Sequence, residues 1–253
     1  MYIPRVFSSG NVKEIVMEGR NRKKKRKVRI LYSAAASAFV FALISVIVSA
    51  ISEGEGDGVR LIIFQLVMGL FFLRLPTFLE KQAGLYIPSA LVVSYTLFIF
   101  SAIFLGEVAL MYYRFPPFDD ILHGASAVLL SLFAFSIPSL LTRECRLSPF
   151  ALGLFALSFT LLIGVLWEIY EFAFDGILGL NMQKFAYSEE LGERLVALSG
   201  RAALSDTMTD LIIDTLGATI GSVAGTVIIK RSGEIPKGLR VYRLDHQADD
   251  GRA

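Results

Sequence analysis

The stretch PFALGLFALSFTLLIGVLWEIYEFAFD, Pro149 to Asp175, decides how this chain is read. Its length and apolar character suit the hydrocarbon core of a bilayer, which a helix of about twenty apolar residues crosses. Yet it finishes in Glu168, Glu171 and Asp175, side chains that lipid does not accept. Two questions arise: whether the rest of the chain is also built for a membrane, and what makes carboxylates tolerable at one end of such a helix.

Of the 253 residues, 54% are hydrophobic and 19% charged, and the mean hydropathy is +0.59. The apolar excess is spread over several long runs. The fold class expected is therefore all-α, a polytopic integral membrane helical bundle, rather than a soluble domain with one anchor. Six transmembrane helices are expected, over 30–51, 61–80, 86–109, 119–142, 149–174 and 207–229. The second carries Arg74 and Pro76, with Arg74 near enough to one end to snorkel to the interface. The mostly polar residues before the first run, and that run's length, fit an uncleaved anchor better than a secretory signal. Cys145 is the single cysteine, which excludes an intramolecular disulfide and a cysteine-based metal site. No repeat of fixed period is visible.

Lys and Arg in the flanks set the direction. The block RNRKKKRKVR, Arg20 to Arg29, directly precedes the first run and is expected to stay cytoplasmic. It reads as a topogenic signal that also draws anionic lipid headgroups. Nothing aromatic or fold-like accompanies it, so no nucleic-acid partner is expected. Six spans return the C-terminus to the same side, with Lys230, Arg231, Lys237, Arg240 and Arg243, and place Lys81, Arg143 and Arg146 there too. Outside fall SEGEGDGVR, RFPPFDD and the segment 176–205, each poor in basic residues. The organisation expected is a basic cytoplasmic segment 1–29, a membrane domain 30–230 and a cytoplasmic tail 231–253. Within 176–205, YSEELGERLVALSG suits a short amphipathic helix on the outer surface, as a lid or a plain connector. The tail RLDHQADDGRA reads as solvated, with His246 idle.

On these spans the ionisable residues converge. The fourth begins FDDILHGASA, so Asp119 and His123 share a face near its outer end. The fifth runs outward and carries Gly164, Glu168, Glu171 and Asp175 in one stripe. The sixth runs inward from SDTMTDLIIDTLGATIGSVAG, with Asp206, Asp210 and Asp214 on every fourth residue and Gly217, Gly221 and Gly225 continuing the line. At 1.5 Å per residue, all three stripes reach roughly 10–12 Å inward from the same surface. The glycines mark the face packed against neighbouring helices. A carboxylate mid-helix costs on the order of 2.5–3.5 kcal/mol, so Glu168, Glu171, Asp210 and Asp214 together cost roughly 10 kcal/mol that packing does not require. Asp119, Asp120, Asp206 and Asp175 lie at helix ends, where capping also explains them.

Several carboxylates cannot all ionise in a poorly hydrated site, so protons or a cation must compensate. One imidazole with several carboxylates suits a divalent Mn, Fe or Zn ion, and oxygens alone suit Mg or Ca. In that reading Asp119, His123, Glu168, Asp210 and Asp214 are metal ligands, Asp206 is a weaker one, and Glu171 is a general base. The ion would activate water or polarise an oxygen of a lipid or lipid-linked substrate at the outer leaflet. In a second reading the carboxylates carry cations or protons, as in transporters. In a third the ion only holds the helices together. Against transport, the cytoplasmic halves of the last three spans have no acidic continuation. Against the enzyme, Arg114 is the one cation close by in sequence. Trp167 is either an interfacial aromatic or a pocket wall.

FDDILHGASA, WEIYEF and SDTMTDLIIDTLGATIG, in that order, resemble the YjdF-like family of prokaryotic inner-membrane proteins and, more distantly, the VanZ-like membrane proteins. The resemblance covers roughly 60–230 and rests on Asp119 and His123, Glu168 and Glu171, and Asp206 and Asp210. It implies a multi-span protein of a prokaryotic plasma membrane, with no established activity to carry over. Gly124 departs from the pattern, since an aromatic often comes after the histidine there. Other arrangements fail. The D-x3-D-x3-D run lacks the preceding elements of a CDP-alcohol phosphotransferase signature. No Ser/His pair of a rhomboid kind is present, and the last three spans lack the Lys, Arg and second His of a two-histidine lipid phosphatase.

Overall fold

A computed structural model of the chain describes residues 9–53, 59–141, 147–187 and 196–244, with side chains from Arg26 to Ser52 and throughout the later segments. Cys145, Arg143, Arg146 and the last nine residues, 245–253 with His246, lie outside the described residues. Helix α1, Ser9–Glu53, holds the basic block in the same helix as the first apolar run. No glycine or proline interrupts it from Arg20 to Glu53, and the glycines beyond Glu53 suit its end.

The second run is two helices, α2 over Val59–Leu73 and α3 over Leu75–Gln82. Pro76 has no N–H to offer the carbonyl of Phe72, and the Tyr95 hydroxyl donates to that carbonyl instead, at 2.9 Å. Helix α4, Ser89–Ile99, continues as a π-helix over Phe100–Val108. That segment closes with the amide of Ala109 on the carbonyl of Phe104, 2.8 Å, and with Leu110 at φ +60°. A one-turn helix α5, Met111–Arg114, comes next. The fourth expected span, 119–142, is corrected. Helix α6 runs over Pro117–Ala134 and breaks before the short α7, Ile137–Leu141, because Pro138 cannot donate to Ala134. Helices α8, Pro149–Leu178, and α9, Ser205–Ser232, end on left-handed Gly179 and Gly233.

Among the described residues five helical stretches are long and apolar enough to cross a membrane: Arg26–Ser52, Val59–Gln82, Ser89–Val108, Pro149–Leu178 and Ala202–Ser232. Helix α6 is not one of them, since Asp119, Asp120 and His123 occupy the first turns of its 18 residues.

Two groups of helices share the interior. Phe39, Leu66, Leu73, Ile99 and Ile103 form the core between α1, α2, α4 and the π-helix. Helices α6, α8 and α9 form the second group, and small residues set their approach. A Cβ on Gly217 would fall 2.6 Å from the carbonyl oxygen of Gly124, and one on Gly221 2.8 Å from that of Val128. Gly225 lies against the Phe135 ring. The pairing 217 with 124, 221 with 128 and 225 with 135 makes α6 and α9 parallel. Gly153 against Thr226 and Gly164 against Asp214 make α8 antiparallel to both.

The loops sort to two ends. At one, Leu85–Tyr86 (β1) pairs with Tyr242–Arg243 (β4), and the Ser136 hydroxyl donates to the carbonyl of Leu239 and accepts from the amide of Val241, both at 3.1 Å. Segments rich in Lys and Arg thus share that end. At the other, Ala186–Tyr187 (β2) pairs with Val196–Ala197 (β3), and a 3₁₀ turn, Ala202–Leu204, leads into α9. A helix through YSEELGERLVALSG is therefore not formed at its ends; residues 188–195 lie outside the described residues.

Candidate functional site

The acidic stripes of α6, α8 and α9 meet at the β2–β3 end. Asp119 and His123 lie one turn apart on α6, with the ring Nε2 4.0 Å from Asp119 Oδ1 and 3.8 Å from Asp210 Oδ2. Its other nitrogen, Nδ1, is 3.3 Å from Asp214 Oδ1. Asp119, His123 and Asp210 each offer one ligand atom, all within 4.8 Å of one another. Metal bonds of about 2.1 Å put ligand atoms roughly 3.0–3.5 Å apart, so loading such a group requires small side-chain closures. Asp214 faces the opposite side of the ring and fits against Gly164, where a Cβ would meet its carboxylate at 2.7 Å.

Helix α8 supplies two more carboxylates. Glu168 is 5% exposed, and among the described residues no donor reaches either of its oxygens. Its nearest polar neighbours, Gln183 and Thr207, bond to each other at 2.8 Å. His123 and Asp206 lie within electrostatic reach of it. Glu171 is buried too, and Trp167 Nε1 donates to its Oε1 at 2.9 Å. Trp167 is 38% exposed, and its indole N–H is turned to Glu171. Asp175 belongs to the loop, accepting from the amides of Met182 at 2.8 Å and Gln183 at 3.0 Å.

Three residues at the site are not reached by reading the spans alone. Lys184, from the loop after α8, contacts Asp119 and lies 3.4 Å from Asp206, with its ammonium 5.2 Å from the centre of the Tyr112 ring. Burial pulls that ammonium down, and Asp119, Asp206 and Asp210 outweigh it, holding Lys184 above the usual lysine range. Burial and then the carboxylates of Asp119, Glu107, Glu171 and Asp210 push the Tyr112 hydroxyl well above its ordinary value. Glu107 sits on the π-helix, buried, and its Oε1 accepts from Gln65 Nε2 at 3.0 Å. A glutamate in the third apolar run, near the same end as the other acids, was the available signal. Lys184 has no such signal, because only the fold-back of the loop brings it in; Arg114, the one nearby cation in the sequence, is exposed.

A cleft of about 270 Å³ opens beside this cluster, lined by Asp120, Lys184, Ser205, Asp206 and Thr209. At the far end of the same three helices, Phe135, Ala134, Ala156 and Ile229 pack into an apolar core.

A family model described as "Predicted membrane protein (DUF2238)" matches residues 34–231. The chain belongs to the DUF2238 family. That span includes the five membrane-length helices apart from the first residues of α1 and the last of α9, and every residue of the acidic cluster. No curated protein and no solved structure matches the chain. As a DUF2238 protein it is a membrane protein, and its site chemistry has to be argued from its own residues.

Proposed function

We propose that this DUF2238 protein, read as YjdF-like, is a six-span protein of a prokaryotic plasma membrane with both termini cytoplasmic, α6 and α7 together making the crossing that neither makes alone. We further propose that it holds a divalent cation in a pocket at the outer surface. The observation that carries the metal assignment is the orientation of His123. Nδ1 faces Asp214 at 3.3 Å and Nε2 faces Asp119 and Asp210; in the tautomer that donates Nδ1–H to Asp214, Nε2 would be free to bind a cation there. A carboxylate behind a metal-binding imidazole fixes its tautomer and raises its basicity. Asp119, His123 and Asp210 are then ligands, Glu168 supplies a further oxygen, and Asp214 orients the ring. The mixture of one nitrogen and several carboxylates suits Mn, Fe or Zn ahead of Ca.

The chemistry assigned to this site is metal-assisted hydrolysis or transfer on a lipid or lipid-linked group, the ion polarising an acyl or phosphoryl oxygen. Glu171, whose Oε1 accepts from Trp167, would act as the general base. The apolar core at the far end of α6, α8 and α9 favours a closed pocket over a transport path. Metal analysis by mass spectrometry of the purified protein tests the reading, with His123→Ala and Asp210→Asn alongside. A stoichiometric ion in the wild type, lost in both variants, is expected. Full metal retention by either variant would refute the ligand set.

A further inference from the structure

Lys184 does with one end of the acidic cluster what a metal ion would do with the other. Its backbone is left-handed, φ +46°, a conformation unusual for a residue other than glycine. The loop is wired to hold it there. Asp175 binds the amides of Met182 and Gln183, Asn181 bonds Ala186 through both its amide oxygen (3.0 Å) and nitrogen (2.8 Å), and Gln183 reaches Thr207. The result is an ammonium set between Asp119 and Asp206 and above the Tyr112 ring. Asp119 is also one corner of the group it forms with His123 and Asp210. One carboxylate thus serves two cation positions.

The cleft beside Lys184 adds the second observation. Asp120, Asp206, Ser205 and Thr209 line it together with Leu198 and Ala202, and among the described residues Lys184 is the only cation on its wall. An oxygen-lined opening of this kind attracts a hydrated divalent ion and repels anions. Glu168, within electrostatic reach of Asp206 on the cleft wall, has two buried oxygens with no hydrogen-bond partner of ordinary geometry among the described residues. From this geometry we infer that the cleft is the cation's entry vestibule and that Lys184 is its tethered stopper. An arriving divalent ion replaces the ammonium on Asp119, and the loop from Gly179 to Tyr187 is released as the ion settles between Asp119, His123 and Asp210. No covalent step is involved, only an exchange of cations at one carboxylate.

This inference rests on the metal reading of the pocket, and the test separates the two. Mn²⁺ affinity is measured on the full chain in detergent for the wild type, Lys184→Asn and Lys184→Arg. Asparagine accepts the left-handed backbone and removes the charge, while arginine keeps the charge. Hydrogen exchange of the amides of 182–187 is monitored with and without Mn²⁺. Removing the competing ammonium is expected to tighten Mn²⁺ binding up to about 5-fold, the equivalent of a partly exposed ion pair that no longer has to be broken. Lys184→Arg should stay close to the wild type. In the wild type, Mn²⁺ should speed exchange in 182–187; in Lys184→Asn, exchange should be fast already and insensitive to the ion. Equal affinity in wild type and Lys184→Asn, or a loop that becomes more protected on Mn²⁺ binding, overturns the stopper while leaving the metal site standing. Absence of Mn²⁺ binding by all three proteins overturns the metal assignment, and the stopper with it.

Discussion

Asp214 separates two ways of building the pocket, and Asp214→Asn tests them. If the carboxylate is a metal ligand, its loss resembles the loss of Asp210. If it only orients His123, the loss is smaller and of known size. The structure favours the second: Asp214 Oδ1 lies 3.3 Å from Nδ1, whereas Asp119 and Asp210 face Nε2 at 4.0 and 3.8 Å. Removing a carboxylate that supports a ligating histidine costs about 10–100-fold in metal affinity. That range is roughly 1.4–2.7 kcal/mol. Asparagine keeps the shape that fills the space against Gly164, so the helices should pack as before. Isothermal titration with Mn²⁺ on wild type, Asp214→Asn and Asp210→Asn gives the comparison directly. We expect Asp214→Asn inside that range and Asp210→Asn well beyond it. Equal losses would make Asp214 a ligand, and an unchanged affinity for Asp214→Asn would remove the orienting role.

Glu168→Leu should raise the thermal stability of the metal-free protein, because it replaces a buried carboxyl with no partner, a group that costs roughly 1–3 kcal/mol. The same variant should bind Mn²⁺ more weakly, and a drop in stability would show that Glu168 is satisfied after all. Gly221→Ala puts a methyl group 2.8 Å from the Val128 carbonyl and onto the Ser131 hydroxyl, an overpacking of about 1–3 kcal/mol readable as a lowered melting temperature. Gly238→Ala, with nothing within 4 Å of the new carbon, should melt like the wild type. The docking of Lys184 carries its own pH signature. Its folded value is raised, so its contribution is fully present below the ordinary lysine value of about 10.4 and is lost only as pH rises through the higher folded one. After correction for intrinsic exchange, protection of the amides of 182–187 should therefore stay flat from pH 6 to 9; a fall across that interval would mean that another group holds the loop.

What could be read ahead of the structure was periodic. Gly164, Glu168 and Glu171 on α8, and Asp210, Asp214, Gly217, Gly221 and Gly225 on α9, recur at helical spacing and are buried as that spacing implies. Asp119 and His123 face the same way for the same reason. Local chemistry that breaks a period was partly visible: Pro76 and Pro138 mark the breaks in α2–α3 and α6–α7, although the apolar runs that suggest single spans continue through both. The π-helix that carries Glu107 was not visible, since its residues are as apolar as those of an ordinary helix. Lys184 was out of reach altogether, because its place depends on Asp175 and Asn181 folding the loop, not on its distance in sequence from the acids.

The spacing also explains why packing and chemistry share one seam. On α8 the buried positions include Gly153, Gly164 and Asp175, each 11 residues from the last, and on α9 Asp210 and Gly221, and Asp214 and Gly225, stand 11 apart as well. Eleven residues make just over three full turns of an α-helix, so such a stripe stays nearly parallel to the axis and continues to face the same neighbour. A seam in which glycines draw α6 and α9 together at one end must then hold its remaining residues at the contact between the helices towards the other. Those residues are Asp210 and Asp214, facing His123, with Glu168 and Glu171 brought in from α8. Close approach at the glycine end thus fixes the carboxylates at a separation where they repel one another. Lys184 and His123 offer at most two positive charges to Asp119, Asp206, Asp210, Asp214, Glu168 and Glu171. Among the described residues these two cations do not match six ionised carboxylates, so the remainder is met by protons on some of them or, in the metal reading proposed above, by a divalent ion.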